Sequence, residues 1–159
     1  MSELASKAIT MRPIGVVRGG RDEATDDDWG PEQAEIHLDG ERFGPEVVAG
    51  LDAFSHIEVV FVFDRVDEGA VNLGARHPRG RTDWPKVGIL AQRARARPNR
   101  IGVTVCELTA LEGLLLRGRS LDAVDGTPVL DVKPYLSEFA PRGETRQPAW
   151  ASELMAGYW

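Results

Sequence analysis

The sequence predicts an all-β domain, a sandwich or a barrel, and three observations carry that expectation. Roughly seven short runs rich in β-branched residues are separated by Gly, Pro and Asp turn residues. At most two short helices fit the apolar spacing. The run FSHIEVVFVF at Phe54–Phe63 is continuously apolar from Val59 to Phe63, as a strand buried on both faces or closed into a barrel must be.

Taken in order, Pro13 opens a first strand at Ile14–Arg18 that Gly19-Gly20 ends. Arg21–Glu32 brings Asp22, Glu23, Asp26, Asp27 and Asp28 up to Trp29-Gly30-Pro31. Its spacing is not that of a calcium loop, so it reads as a mobile, solvated loop in which Trp29 is the residue to pack. Ala34–Leu38 alternates as a second strand with His37 on its solvated side, and Pro45–Ala49 forms a helical turn. Phe54–Phe63 is the strongest strand, and Asp64-Arg65 stands at its exit. Val66–Pro85 is too rich in Gly, Pro and charge for a regular element. A loop of that length in a compact domain is expected to bind something, and His77 and Arg79 are its candidates.

Val87–Ala91 reads as the next strand, and Gly102–Leu111 with Leu114–Arg119 as a hairpin around Glu112-Gly113. The lone Cys106 falls inside an apolar run and belongs to the core, with no internal disulfide to form. Asp125-Gly126 is a tight-turn pair leading to a last strand, Val129–Lys133, stopped by Pro134. Strict alternation puts Val129, Asp131 and Lys133 on one face, and Leu130 and Val132 on the other. Pro148 begins a short helix through Met155. Trp150, Tyr158 and Trp159 then need cover from the domain or from a neighbour. The expected organisation is a flexible 1–12, one domain over 13–139, and a tail over 140–159.

The 159 residues, 42% hydrophobic, suffice for one domain with a true core. Met1–Met11 lacks the apolar core of a signal peptide, and no apolar run nears the ~20 residues of a membrane span, so a soluble cytoplasmic protein is expected. No G-x-G occurs, which leaves a dinucleotide fold or a Walker loop unsupported. The net charge of −6 speaks against general nucleic-acid affinity, yet residues 76–102 carry eight basic side chains and one acid. That basic middle is either a contact surface for phosphates or carboxylates, or a solvated arginine loop.

Two polar stretches hold the chemistry. Gln92–Gly102 sets Arg93, Arg95, Arg97 and Arg100 around the rigid Pro98-Asn99 turn, and Leu121–Tyr135 threads three acids, a lysine and a tyrosine on an apolar ribbon. Together they supply anion-binding donors and carboxylates. Taken alone, Asp131 with Lys133 is an ordinary exposed ion pair.

In order and spacing, PIGVVR at Pro13–Arg18, GLDAFSHIEVVFVF at Gly50–Phe63, RPNRIG at Arg97–Gly102 and LDAVDGTPVLDVKPY at Leu121–Tyr135 resemble the TsaA-like family of TrmO-type methyltransferases. Members methylate N6 of threonylcarbamoylated adenosine beside a tRNA anticodon. The resemblance implies a single-sheet, mostly antiparallel β-barrel, S-adenosyl-L-methionine as cofactor, and a homodimer with the cofactor near its two-fold. It implies cofactor roles for Arg93, for Asp125, Gly126 and Thr127 at the turn, and for Leu121 and Asp122 at adenine or ribose. Asp64 and Arg65 stand where the family often has histidine and glutamine approaching the cofactor, and Trp29 lies in a segment near it.

Asp131, Lys133 and Tyr135 are the expected catalytic group, taking the acceptor's proton or binding its charge. Arg95, Arg97, Asn99, Arg100, His77 and Arg79 are the expected substrate contacts. Three readings stay open: a tRNA methyltransferase, a methyltransferase of small molecules, and a non-catalytic barrel that binds the same cofactor.

Overall fold

In a computed structural model, the described residues, Leu4 and 7–159, form a closed six-stranded antiparallel barrel. The expected loose segment 1–12 falls partly outside the described residues. The barrel strands are β1 (Gly15–Arg18), β2 (Gln33–Leu38), β3 (His56–Val62), β6 (Ile101–Glu112), β7 (Leu115–Arg119) and β8 (Pro128–Pro134), in spatial order β1-β2-β7-β6-β3-β8 and back to β1. Closure leaves no barrel edge open, and along β3 the buried Ile57, Val59 and Phe61 alternate with the partly exposed Glu58, Val60 and Val62. The inward positions Val17, Ile36, Ile57, Val59, Phe61, Cys106, Leu116 and Val129 are at most 2% exposed. Burying each of the larger ones contributes about 1.5–3 kcal/mol.

Gly102 makes room for the largest of them. A Cβ there would lie 2.4 Å from the Phe61 ring and 2.9 Å from that of Phe63, and those two rings meet edge to face at 5.3 Å. The β6–β7 hairpin turns at Gly113, whose φ of +58° is cheap for glycine.

Two expectations are corrected. Val87–Ala91 is strand only at β5 (Val87–Gly88) and then turns 3-10 at Ile89–Ala91. Its partner β4 (Ala75–Arg76) lies inside the segment expected to be irregular, and the pair forms a separate two-stranded sheet. The run leaves the ladder because the Gln92 amide bonds back to the Ile89 carbonyl at 3.2 Å and closes the 3-10 turn.

The alternation expected along β8 also fails. Val60 faces Asp131 while Phe61 faces Val129, so Leu130 is an extra residue, a β-bulge. The bulge lets Val129 point into the core and Val132 pack against it three residues later, with Asp131 and Lys133 left on the wall.

The Arg21–Glu32 segment is a loop in which Asp22, Glu23, Asp26 and Asp28 are exposed and Trp29 is packed, and Arg21 orders it. Arg21 Nε donates to Glu32 Oε1 at 2.7 Å, Nη1 to the Thr25 hydroxyl and the Asp27 carbonyl, and Nη2 to the Asp28 carbonyl. The same guanidinium lies 4.2 Å from the centre of the Trp29 ring, and Trp29 is 4% exposed. One arginine therefore folds the loop around itself. The loop's acids do not gather into a metal-holding group.

The chain ends in α1 (Ala149–Met155), preceded by Pro148. Segment 157–159 lies on the loop just described: the Asp28 and Trp29 amides donate to the carbonyls of Gly157 and Tyr158 at 2.9 and 2.7 Å.

Candidate functional site

One end of the barrel, where β1 and β3 finish and β8 begins, gathers most of the residues the sequence singles out. The Asp125-Gly126 turn is fixed from three sides. Gly126 takes a φ of +85° and its amide donates to the Val17 carbonyl at 2.8 Å. The Asp125 amide donates to the Arg21 carbonyl, and its Oδ1 accepts the Gly19 amide at 3.0 Å. Arg65, just beyond β3, donates from one Nη to the Asp125 carbonyl at 2.8 Å and from the other to the Asp22 carbonyl. Thr127 is buried behind the turn, and Asp64 precedes Arg65 at the strand exit.

Beside this turn, Leu121, Ala123 and Val124 are buried, and Asp122 projects from between them. Its Oδ1 accepts the Thr104 hydroxyl, and its Oδ2 accepts the Tyr158 phenol. Thr104 faces inward on β6 and is 6% exposed, so Asp122 satisfies a polar group at the lip of the core. The effect reaches further in. Burial, reinforced by the Asp122 charge, pushes the Cys106 thiol up to about 12. Burial first, then Asp122, raises the Tyr158 phenol as well, while Arg93 and Arg79 act in the opposite sense. The two arginines are thus within electrostatic reach of the phenol.

The basic stretch wraps the same end. Arg93 Nη2 donates to the Val103 carbonyl at 2.6 Å, Arg95 reaches the Ala24 carbonyl at 3.4 Å, and Arg97 braces its own turn on the Gln92 carbonyl at 2.7 Å. Like Arg65, these three are held by carbonyls and have no carboxylate partner among the described residues. Carbonyls orient a guanidinium without neutralising it, so their charge is kept for something else. Arg79 differs, being paired with Asp27 at 2.9 Å.

Other expected substrate residues sit further out. Arg100 donates to the Val66 carbonyl at 2.6 Å and, with Asn99, Pro98, Glu68 and Val71, lines an open cleft of about 280 Å³. His77 Nδ1 donates to the Trp84 carbonyl at 2.8 Å, which fixes the tautomer of the neutral ring.

Within one chain the expected catalytic group is not brought to this end. Asp131 and Lys133 pair with each other on the outer wall, with about half of each side chain exposed. Tyr135 lies by His56 at the far end of β3, roughly 20 Å away at about 3.3 Å per residue.

Conversely, the structure adds Arg21, Thr104 and Tyr158, which sequence reasoning did not assign. The available signals were an arginine directly after a double glycine, a threonine at an inward strand position, and an aromatic pair with no helix to bury it.

Comparison with known proteins follows the same lines. The profile of the tRNA-methyltransferase O N-terminal domain family matches residues 28–140. A probable S-adenosyl-L-methionine-binding protein of Methanothermobacter thermautotrophicus is 35% identical over 144 residues, 88% of this chain and 99% of that protein. A tRNA (adenine(37)-N6)-methyltransferase of Escherichia coli is 41% identical over 106 residues, 64% of this chain and 45% of that protein. The crystal structure of TrmO from Pseudomonas aeruginosa superposes with a TM-score of 0.72 at 26% identity, over 91% of this chain and 62% of that one. The chain therefore spans less than two thirds of these methyltransferases.

Proposed function

Since this chain belongs to the family of the tRNA-methyltransferase O N-terminal domain, we propose that it is an S-adenosyl-L-methionine-dependent methyltransferase acting on N6 of a tRNA adenosine. The observation that carries this reading is the meeting, at one barrel end, of Asp122 and Asp125 with Arg65 and Arg93. That donor set fits the cofactor, whose ribose hydroxyls and cationic sulfur need acceptors and whose amino-acid carboxylate needs donors. Asp122 would take the ribose and Arg93, with Arg65, the carboxylate. Gly126 and Thr127 would offer backbone contacts, Leu121 an apolar face for the adenine, and Asp64 a flank. When bound, the cofactor supplies an electrophilic methyl group.

The protein's part is alignment, exclusion of water and removal of one proton from the acceptor amine. In this reading Asp131 takes that proton, Lys133 holds the carboxylate in place or binds an acceptor anion, and Tyr135 relays. Their place on the outer wall is supported as functional only in a homodimer that sets the wall of one copy against the barrel end of the other. The homodimer is therefore part of the proposal. The carbonyl-held Arg95 and Arg97, with Arg100, Asn99, His77 and Arg79, would meet tRNA phosphates, and a threonylcarbamoyl group on the adenosine is the proposed mark of the substrate. No helix among the described residues is long and apolar enough to cross a membrane, and the tRNA substrate puts the proposed site of action in the cytoplasm.

Transfer of radiolabelled methyl from S-adenosyl-L-methionine to tRNA lacking the modification tests the reading. Incorporation is expected. Cofactor binding in calorimetry without incorporation into tRNA would leave a small-molecule acceptor or a non-catalytic binder instead.

A further inference from the structure

Tyr158 places its hydroxyl on the Asp122 carboxylate. Thr104 already satisfies Asp122 Oδ1, whereas Oδ2 is held only by a residue from a segment lying across the outside of the barrel end. That segment is fitted to its seat by several contacts. The Asp28 and Trp29 amides bond to Gly157 and Tyr158, and Asp28 accepts a φ of +64° in doing so. On the preceding α1, Glu153 receives the indole N–H of the buried Trp84 at 2.7 Å. Gly30 lets the backbone pass, since a Cβ there would lie 2.6 Å from the Trp159 carbonyl carbon.

We propose that segment 157–159 is a built-in gate, in which the Tyr158 phenol holds the hydroxyl-accepting position of Asp122 and must withdraw before a nucleoside ligand's hydroxyl can take it. This rests on the methyltransferase reading given above. A ligand that competes with an attached segment binds with an affinity reduced by the fraction of molecules whose gate is open. The gate thereby sets how much cofactor is needed to load the enzyme, and it covers the apolar lip when the site is empty.

The test is calorimetric titration of the full chain, of Tyr158→Phe and of Gly30→Ala with S-adenosylhomocysteine, together with hydrogen exchange at the Asp28 and Trp29 amides. Tyr158→Phe removes the competing hydroxyl. Gly30→Ala unseats the segment without touching Asp122. Both variants should bind about three- to tenfold more tightly than the parent, and saturating ligand should speed exchange at the two amides in the parent chain. Equal or weaker binding by both variants, or amides that stay as slow or become slower with ligand, would overturn the gate and leave the methyltransferase reading standing. Absence of binding in all three chains would sink that reading and the gate with it.

Discussion

Asp122 shows how one side chain couples the site to the core. Its charge lies close enough to Cys106 to add to burial in holding the thiol up at about 12, above an ordinary value of 9.0. A group whose proton is held more tightly in the folded state contributes stability that is fully present below the unfolded value and lost as pH rises through the folded one. The parent protein should therefore lose stability between about pH 9 and pH 12, and Cys106→Ala should lose less over that window in urea titrations at stepped pH. At neutral pH, iodoacetamide should label Cys106 only after denaturant is added. Asp131 poses the complementary question. If it is the proton acceptor, Asp131→Asn should retain calorimetric binding of S-adenosyl-L-methionine and lose about 100-fold or more in methyl transfer. An unchanged rate would remove Asp131 from the reaction, leaving it the exposed ion pair with Lys133 and the Val132 amide it accepts at 3.0 Å.

Among the elements, the paired strands β3 and β6 hold the tightest fit in the core. Phe61 and Phe63 fill the space over Gly102, and no other residue fits there without moving two rings. Gly102→Ala should cost about 1–3 kcal/mol, seen as a lower urea midpoint with an unchanged slope. A slope change would mean that the barrel had rearranged. The Leu130 bulge has a different consequence. It breaks the alternation of β8, so that residues on both sides of it serve the core while Asp131 and Lys133 stay on the wall. Period-2 reasoning could not see this, because an extra residue is a property of two paired strands and of neither alone.

At the scale of the whole molecule, the charge pattern has two levels. The chain is acidic overall, yet its acidic loop is stitched to the basic stretch through Arg95 to Ala24 and Arg79 to Asp27, and to the exit of β3 through Arg65 to Asp22. Asp26 and Asp27 pair with Arg79, whereas Arg65, Arg93, Arg95 and Arg97 have no carboxylate partner among the described residues. Binding of tRNA should accordingly weaken with salt. Arg95→Ala should reduce the slope of log affinity against log salt by about one while leaving discrimination among tRNAs unchanged. A slope that does not move would place the phosphates elsewhere.

Much of this was legible in the chain itself. Six of the strand runs, the hairpin at Gly113, the turn at Asp125-Gly126, the burial of Cys106 and the short terminal helix are local matters, decided by side-chain period and by residues that tolerate particular backbone angles. The grouping of Arg93 with Asp122 and Asp125 came from motif resemblance. What only the tertiary structure decided is which distant residues meet. Arg21 folds the acidic loop, Thr104 and Tyr158 share one carboxylate, and the bulge sends Asp131 outward. Each of these depends on barrel closure, which brings together residues that are remote along the chain, and no local period records such a meeting.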